Sequence, residues 1–319
     1  MIIKPYGQER LVSFFGKALS SGSLNHAYII EGDTGSGKKT LARYFATLAV
    51  CENGNACGKC ASCREAVADA NPDIMWIFPD SKTNLSVDKV REMIEMVSYR
   101  SVHGGRRVFI IDNAHLMTVQ AQNALLKVIE EPPKNVMFFL LCKQRSKMIA
   151  TITSRTQSLK LMPLSNEDLL KIAPECNDFQ LTYANGNPGK LLKICGDNGF
   201  DNLRNVIVQL ICKMFADGDE YMYELADFFE QNKELKDDLF TIMVYLLRDV
   251  MYKKIGLDRF IVNSDKPDII NKISENLTAA SCIGAIEAVL EAERSVGKYV
   301  NYNLAIQNML IKCKAKDTK

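Results

Sequence analysis

Apolar residues in the first half of the chain gather into short runs at 27–30, 74–78, 108–111, 136–142 and 158–161, and between them apolar positions recur every three or four residues. Strand-length runs alternating with amphipathic, helix-length stretches predict an α/β fold, a parallel sheet wrapped by helices. The runs at 108 and 136 are apolar at nearly every position. That is the pattern of central strands covered on both faces, so both are expected deep in the sheet.

Beyond Pro163 the strand-like runs cease. Ser165, followed by Asn166, Glu167 and Asp168, reads as a helix start, with Ser165 as N-cap and Asp168 in the first turn. A turn at Asn185-Gly186-Asn187-Pro188-Gly189 precedes the apolar Leu191, Leu192 and Ile194. From about residue 200 the spacing is helical, as in Leu239, Met243, Leu246, Leu247 and Val250, then Tyr302, Ile306, Met309 and Leu310. The expected division is an α/β domain at 1–163, a helical lid at 164–200 and a helical domain at 201–319. A helical domain without chemistry of its own suits assembly.

The 319 residues allow two or three domains with a sizeable core, and 47% hydrophobic and 24% charged residues are ordinary globular proportions. With 40 Lys and Arg against 38 Asp and Glu, the chain has no basic excess to grip nucleic acid unaided. The longest wholly apolar run, 136–142, is far below the ~18 residues of a membrane span, so no membrane role is expected. The start Met1-Ile2-Ile3-Lys4-Pro5 lacks the apolar stretch of a secretory leader. Together with ten cysteines that include a CxxC cluster, this suggests a reducing, cytoplasmic setting.

Gly32-Asp33-Thr34-Gly35-Ser36-Gly37-Lys38 stands between a predicted strand and a predicted helix, so GxxxxGK has the context of a phosphate-binding loop. Gly32, Gly35 and Gly37 would let backbone N–H groups wrap a phosphate at a helix N-terminus, and Lys38 would reach its oxygens. The next position should supply a magnesium-ligating hydroxyl but holds Lys39, whose cation stands in charge space meant for the metal. Thr40 cannot substitute, because one helical step turns a side chain by ~100°. The strand ending Phe109-Ile110-Ile111-Asp112 delivers a carboxylate suited to orienting a metal. Asn113 follows, and a carboxamide can orient water but cannot take its proton. His115 is a weaker candidate for that proton, and a packed or capping role fits it better.

Cys51, Cys57, Cys60 and Cys63 have the spacing of a tetrahedral site of four thiolates, which predicts structural Zn2+ with no position open to water. Cys142, Cys176, Cys195, Cys212, Cys282 and Cys313 lie among apolar residues and read as small core hydrophobes.

Taken together, the motifs resemble the bacterial clamp-loader subunits of DNA polymerase III, AAA+ proteins with an inserted zinc module. The residues that carry the resemblance are Gly7-Gln8, Asn25-His26-Ala27-Tyr28, the phosphate loop, the four cysteines, Asn123-Ala124-Leu125-Leu126-Lys127, Glu130-Glu131-Pro132-Pro133 and Thr153-Ser154-Arg155-Thr156. The last resembles the family's Ser-Arg-Cys motif with Thr156 in place of Cys, and Asn301-Tyr302-Asn303-Leu304 looks like the end of the family's collar. The resemblance implies an AAA+ domain at 1–163 with a zinc module at about 51–63, a lid at 164–200 and an oligomerising collar at 201–319.

Within the family, the departures point to a non-motor, stator type of subunit. Lys39 replaces the hydroxyl and Asn113 the catalytic Glu, Gly189 falls where motors carry a sensor arginine, and no tau-like extension follows in the chain as given. Arg155 is kept, and by the resemblance it would act as an arginine finger in trans, completing a neighbour's ATP site. Neither ATPase nor polymerase activity is expected of the chain itself. Gly32, Gly35, Gly37, Lys38, Lys39, Thr40, Asp112 and Asn113 then form a degenerate, vestigial nucleotide site in which ATP and Mg2+ are doubtful. The implied partners are the motor subunits gamma or tau, the delta subunit, the sliding clamp and, through the complex, primer-template DNA. The alternative is an active gamma/tau-like ATPase using Lys38 and Asp112 with an altered metal shell. A nucleic-acid reader working through the cysteine module has only Lys59 and Arg64 beside the cysteines to support it. Arg100, Arg106, Arg107, Lys143 and Arg145 are candidate DNA contacts, while Lys143, Arg145 and Lys147 equally suit a solvated face.

Overall fold

The computed structural model describes residues 4–195, 198–296 and 301–314. Residues 1–3, part of the segment read as lacking a leader, lie outside these. The five expected strands form as β1 (Ala27–Glu31), β2 (Ile74–Ile77), β3 (Arg107–Ile111), β4 (Val136–Cys142) and β5 (Gln157–Lys160), within one residue of the sequence bounds. All pair in parallel, in the order β2-β3-β4-β1-β5. The uninterrupted apolar runs become the inner strands, for every residue of β3 and β4 is buried.

Alternation along the strands divides the core into two layers. Ile29, Phe109, Ile111, Phe138 and Leu140 face α4 (Val87–Val97) and α5 (Val119–Glu130), while Tyr28, Ile30, Val108, Ile110, Phe139 and Leu141 face α1 (Glu9–Ser20) and α2 (Lys38–Val50). Phe139 lies at the centre of the second layer, with ring centroids of Phe15, Tyr28 and Phe45 at 5.9, 5.7 and 6.2 Å. Between α2 and β2 the chain inserts the cysteine loop and α3 (Ala61–Val67), and α6 (Ala150–Arg155) leads into β5. Ser165 caps α7 (Asn166–Ile172) as expected, its Oγ accepting the Asp168 N–H at 3.1 Å.

Compactness separates Met1–Glu175 with Ala184–Leu192 from Cys176–Tyr183 with Lys193–Lys319. The second unit is helical, with its longest helices at Asn198–Ala216, Lys236–Lys254 and Ala279–Val296. The predicted stripes Leu239, Met243, Leu246, Leu247, Val250 and Tyr302, Ile306, Met309, Leu310 are its buried faces. Tyr302 also donates its hydroxyl to the carbonyl of Phe229 at 3.0 Å. Its one fully buried carboxylate, among the described residues, is Asp249, which accepts the backbone N–H and the amide of Asn263 at 2.7 and 2.6 Å. Cys142, Cys212, Cys282 and Cys313 are buried thiols as read, but Cys176 and Cys195 are not isolated. The fold brings them side by side with Cα atoms 5.8 Å apart, a proximity that a separation of 19 residues gives no sign of. No single helix among the described residues is long and apolar enough to cross a membrane.

Because Phe139 has no exposed surface and touches three rings, Phe139→Ala is expected to destabilise the α/β unit by about 3–5 kcal/mol, the cost of an aromatic-sized cavity, measured by urea unfolding of the full chain.

Candidate functional site

In a parallel sheet every strand end of one kind lies on one edge. β1 delivers the phosphate loop, β3 delivers Asp112 and β4 delivers Lys143 to the C-terminal edge. The loop turns on Gly35 and Gly37, whose φ of 83° and 93° are open to glycine and strained for other residues, and α2 starts at Lys38. Lys38 does not reach outward. Its ammonium donates to the carbonyls of Gly32 and Asp33, both at 2.7 Å, and burial lowers its pKa.

The turn Asn185-Gly186, with φ of 48° and 75°, sets the next segment against the same loop. Asn187 Nδ2 donates to the Thr34 carbonyl at 2.8 Å and the Gly189 N–H to the Gly35 carbonyl at 2.9 Å. A Cβ on Gly189 would stand 2.6 Å from the Gly35 Cα and 2.8 Å from its carbonyl oxygen. The position at which motors were expected to carry an arginine is therefore packed against backbone. Thr40, with Ser36, Gly37, Leu161 and Lys171, lines a cavity of about 390 Å3 that Asp112 does not border.

Asp112 is 4% exposed at the end of β3. Its Oδ2 is 2.9 Å from Lys39 Nζ and accepts from Asn113 Nδ2 at 3.1 Å. Asn113 has φ of 47°, a left-handed conformation that asparagine tolerates, and so the chain leaves β3 with its carboxamide folded back on the carboxylate. Phosphate loop, Lys38, Lys39, Asp112 and Asn113 thus share one edge of the sheet, and the side chains of Lys38, Lys39, Asp112 and Asn113 are each engaged within the chain. His115 is half-buried, its Nδ1 has no partner, and burial lowers its pKa, so it stays neutral.

The four cysteines come together from one loop and one helix start. All their sulfurs lie within 4.8 Å of one another, close enough to hold a metal ion. Successive N–H groups point at them: Cys57 N–H to Cys51 Sγ at 3.5 Å, Cys60 N–H to Cys57 Sγ and Cys63 N–H to Cys60 Sγ at 3.4 Å each. Left-handed φ at Gly54, Ala56 and Gly58 make the tight turns that aim these donors. The N–H of Cys60 brings the Cys57 thiol down to about 6, the direction a thiolate ligand needs, while burial pushes Cys63 up. A donor set of four sulfurs suits a thiophilic ion in closed coordination. Lys59 and Arg64 are exposed beside the cluster.

Arg155 ends α6, two residues before β5 begins, and so belongs to the opposite, N-terminal edge of the sheet. Its Nε lies 2.9 Å from Glu130 Oε1 at the end of α5, both side chains more than 40% exposed, and its Nη1 donates to the Thr151 carbonyl at 3.2 Å. Ser154 stands beside Arg155 in the last turn of α6. Its hydroxyl bonds back to the Thr151 carbonyl at 3.0 Å, because the segment is helical up to Arg155. Among the basic candidates Arg107 is also corrected: it is 7% exposed, donating to the carbonyls of Met96 and Tyr99, and serves the core. Arg100, Lys143, Arg145 and Lys147 are exposed and Arg106 is half-buried.

Sequence reasoning missed Glu130 as the partner of Arg155, Asn187 as the clasp on the loop, and Asp73. Asp73 is buried and receives the N–H groups of Val102 and His103 at 3.0 and 3.1 Å. The acidic pair Glu130-Glu131 before two prolines and the turn that holds Asn187 carried a signal of place, though not of partner, and Asp73 carried none.

Two family models, both for the DNA polymerase III delta subunit and the second for its C-terminal part, match residues 7–165 and 198–314. DNA polymerase III subunit delta' of Bacillus subtilis is 26% identical over 318 residues, covering 95% of each chain. The gamma/tau subunit of Mycobacterium bovis is 37% identical over 162 residues, 49% of this chain, and the matched part spans 28% of that longer relative. A solved gamma subunit-related protein of Thermotoga maritima aligns over 96% of this chain and 97% of its own at 18% identity, with a TM-score of 0.44.

Since a side chain at 189 meets immovable backbone, Gly189→Arg is expected to lift the turn from the phosphate loop and cost about 1–3 kcal/mol, as overpacking does. Urea unfolding checks the loss, and faster amide exchange at Gly189, whose N–H is bonded to Gly35, checks its place.

Proposed function

The chain belongs to the DNA polymerase III clamp-loader subunits, matching the delta-prime kind over 95% of its length, and we propose that it serves there as a stator that lends Arg155 to a neighbouring ATPase site. The observation that carries this reading is the polarity of the sheet. The phosphate loop leaves the C-terminal end of β1, and Arg155 precedes the N-terminal end of β5, which pairs in parallel with β1. A strand of five residues at ~3.3 Å each puts ~16 Å between those edges. Arg155 is thus turned away from its own loop and suits a site on another chain.

A finger in trans must also be free to move. Exposed ion pairs are worth only about 0–1 kcal/mol, so the Glu130 contact holds the guanidinium at little cost to its release. Once aligned with a neighbour's phosphoryl group, its fixed fork of donors offsets the charge that develops during transfer.

The chain's own site supports a passive role. Lys38 is spent on backbone carbonyls, Asp112 on Lys39 and Asn113, and the loop carbonyls on Asn187 and Gly189. Asn113 offers no base to take a proton from water. The cysteine cluster would bind structural Zn2+, its four thiolates leaving no open position. The helical region 201–319 would join the ring as a collar, with the gamma/tau and delta subunits as neighbours, the sliding clamp and primer-template DNA as the cargo of the complex, and the cytoplasm as its place.

In the reconstituted loader, Arg155→Ala is expected to reduce turnover at the adjoining site by about 10³-fold while the complex still assembles, and Arg155→Lys to restore little because a single ammonium lacks the fork. Lys38→Ala should leave DNA- and clamp-stimulated hydrolysis unchanged. If Lys38→Ala removes turnover and Arg155→Ala does not, this chain is itself a motor. Elemental analysis of the purified chain is expected to find one zinc, lost in Cys57→Ser with Cys60→Ser.

A further inference from the structure

Magnesium at a phosphate loop is held by a hydroxyl after the lysine, an acidic residue and phosphate oxygens, at ~2.0–2.1 Å in octahedral array. The residues here do not fit such an ion. Position 39 contributes an ammonium in place of a hydroxyl, 2.9 Å from the carboxylate oxygen a metal would need. The two cations would compete for one place.

The ammonium is also held where it stands. Lys39 Nζ lies 5.3 Å from the centre of the Phe78 ring. Phe78 stacks on Trp76 two residues earlier, with centroids 5.9 Å apart and planes within 8°. Arg43, one turn along α2 from Lys39, covers Trp76 at 5.8 Å and is itself fixed by Asp69 at 3.0 Å. Lysine and arginine of α2 therefore lie over two aromatic rings at the end of β2. Phe78 is 48% exposed and fills no core, so packing alone gives it little reason to be aromatic. A cation over an aromatic face is attracted by the ring quadrupole, and this steers a flexible four-carbon stem toward one position.

We propose that Lys39 is a built-in cation that takes the place of magnesium at Asp112, with Phe78 as its positioning residue, so that the domain is held in its working fold without nucleotide or metal. The Asp112 side chain is 6% exposed and its charge needs a partner; the Lys39 side chain, 58% exposed, can supply one from solvent without being buried itself. A magnesium ion would compensate this carboxylate only while it was bound. Here compensation is covalently attached and permanent. This goes beyond the stator reading and does not depend on Arg155.

The test is a double-mutant cycle on thermal unfolding of the full chain, with and without millimolar Mg2+ and ADP. Lys39→Met is expected to lower the first transition by ~3–8 °C, because it strands a buried carboxylate. Asp112→Asn in the Lys39→Met background should recover most of that loss, a non-additivity that identifies the pair. Phe78→Ala should weaken the coupling between Lys39 and Asp112 and Phe78→Tyr should keep it. Mg2+ with ADP should leave the wild-type transition where it is. Additive effects in the cycle, an unshifted Lys39→Met transition, or a wild-type chain stabilised by Mg2+ and ADP would each overturn the inference. None of these touches the Arg155 experiment, whose failure would leave this one standing.

Discussion

The parallel pairing of all five strands is the constraint on which the rest of this molecule depends. A parallel sheet forces each connection to cross from one edge to the other, so loops following strands and loops preceding them segregate to opposite sides. Glycine loop, Asp112 and the lid-turn contacts occupy one edge, and Glu130 and Arg155 the other. No side-chain rotation could bring Arg155 to its own phosphate loop. The separation of the two groups is thereby written into strand direction before any residue is chosen.

On the loop edge, what decides the chemistry is the cost of a buried carboxylate. Asp112 is nearly sealed, and a sealed charge without a partner is far more expensive than an exposed one. A bound magnesium ion would meet that demand only while it stayed; here lysine and asparagine meet it from within the chain. The same economy extends to the loop, where Asn187 and Gly189 donate to carbonyls and Lys38 bends back on Gly32 and Asp33. The Lys38 ammonium, which would otherwise reach phosphate oxygens, is thereby spent on the loop's own carbonyls.

Most of the α/β half was legible because burial on both faces leaves an uninterrupted apolar run, as in β4, and because glycine, lysine and cysteine spacings are local. The stripes of Leu239 to Val250 and Tyr302 to Leu310 were legible for the same reason: they are periodic. What escaped is non-local. Asn187 reaches Thr34 across 153 positions, and the Cys176–Cys195 pair spans 19 with nothing periodic about it. Arg107 was read as a surface cation because charge alone does not reveal the carbonyls of Met96 and Tyr99 waiting beneath it.

Two ion pairs at one spacing, 2.9 Å, illustrate how burial turns like chemistry to unlike ends. Arg155 and Glu130 are both more than 40% exposed, so water replaces either partner at small cost and the guanidinium can be given up. Lys39 faces a carboxylate whose side chain is only 6% exposed, so losing that cation costs far more than losing an exposed partner. On the stator reading these are the two properties required: a cation that can leave on the edge offered to a neighbour, and one that cannot on the edge where a motor would bind its fuel. Neither follows from residue type, since arginine and lysine carry equal charge. Each follows from how deep the partner carboxylate lies, and that depth is set by position on the sheet: Asp112 ends a central strand, while Glu130 ends a surface helix.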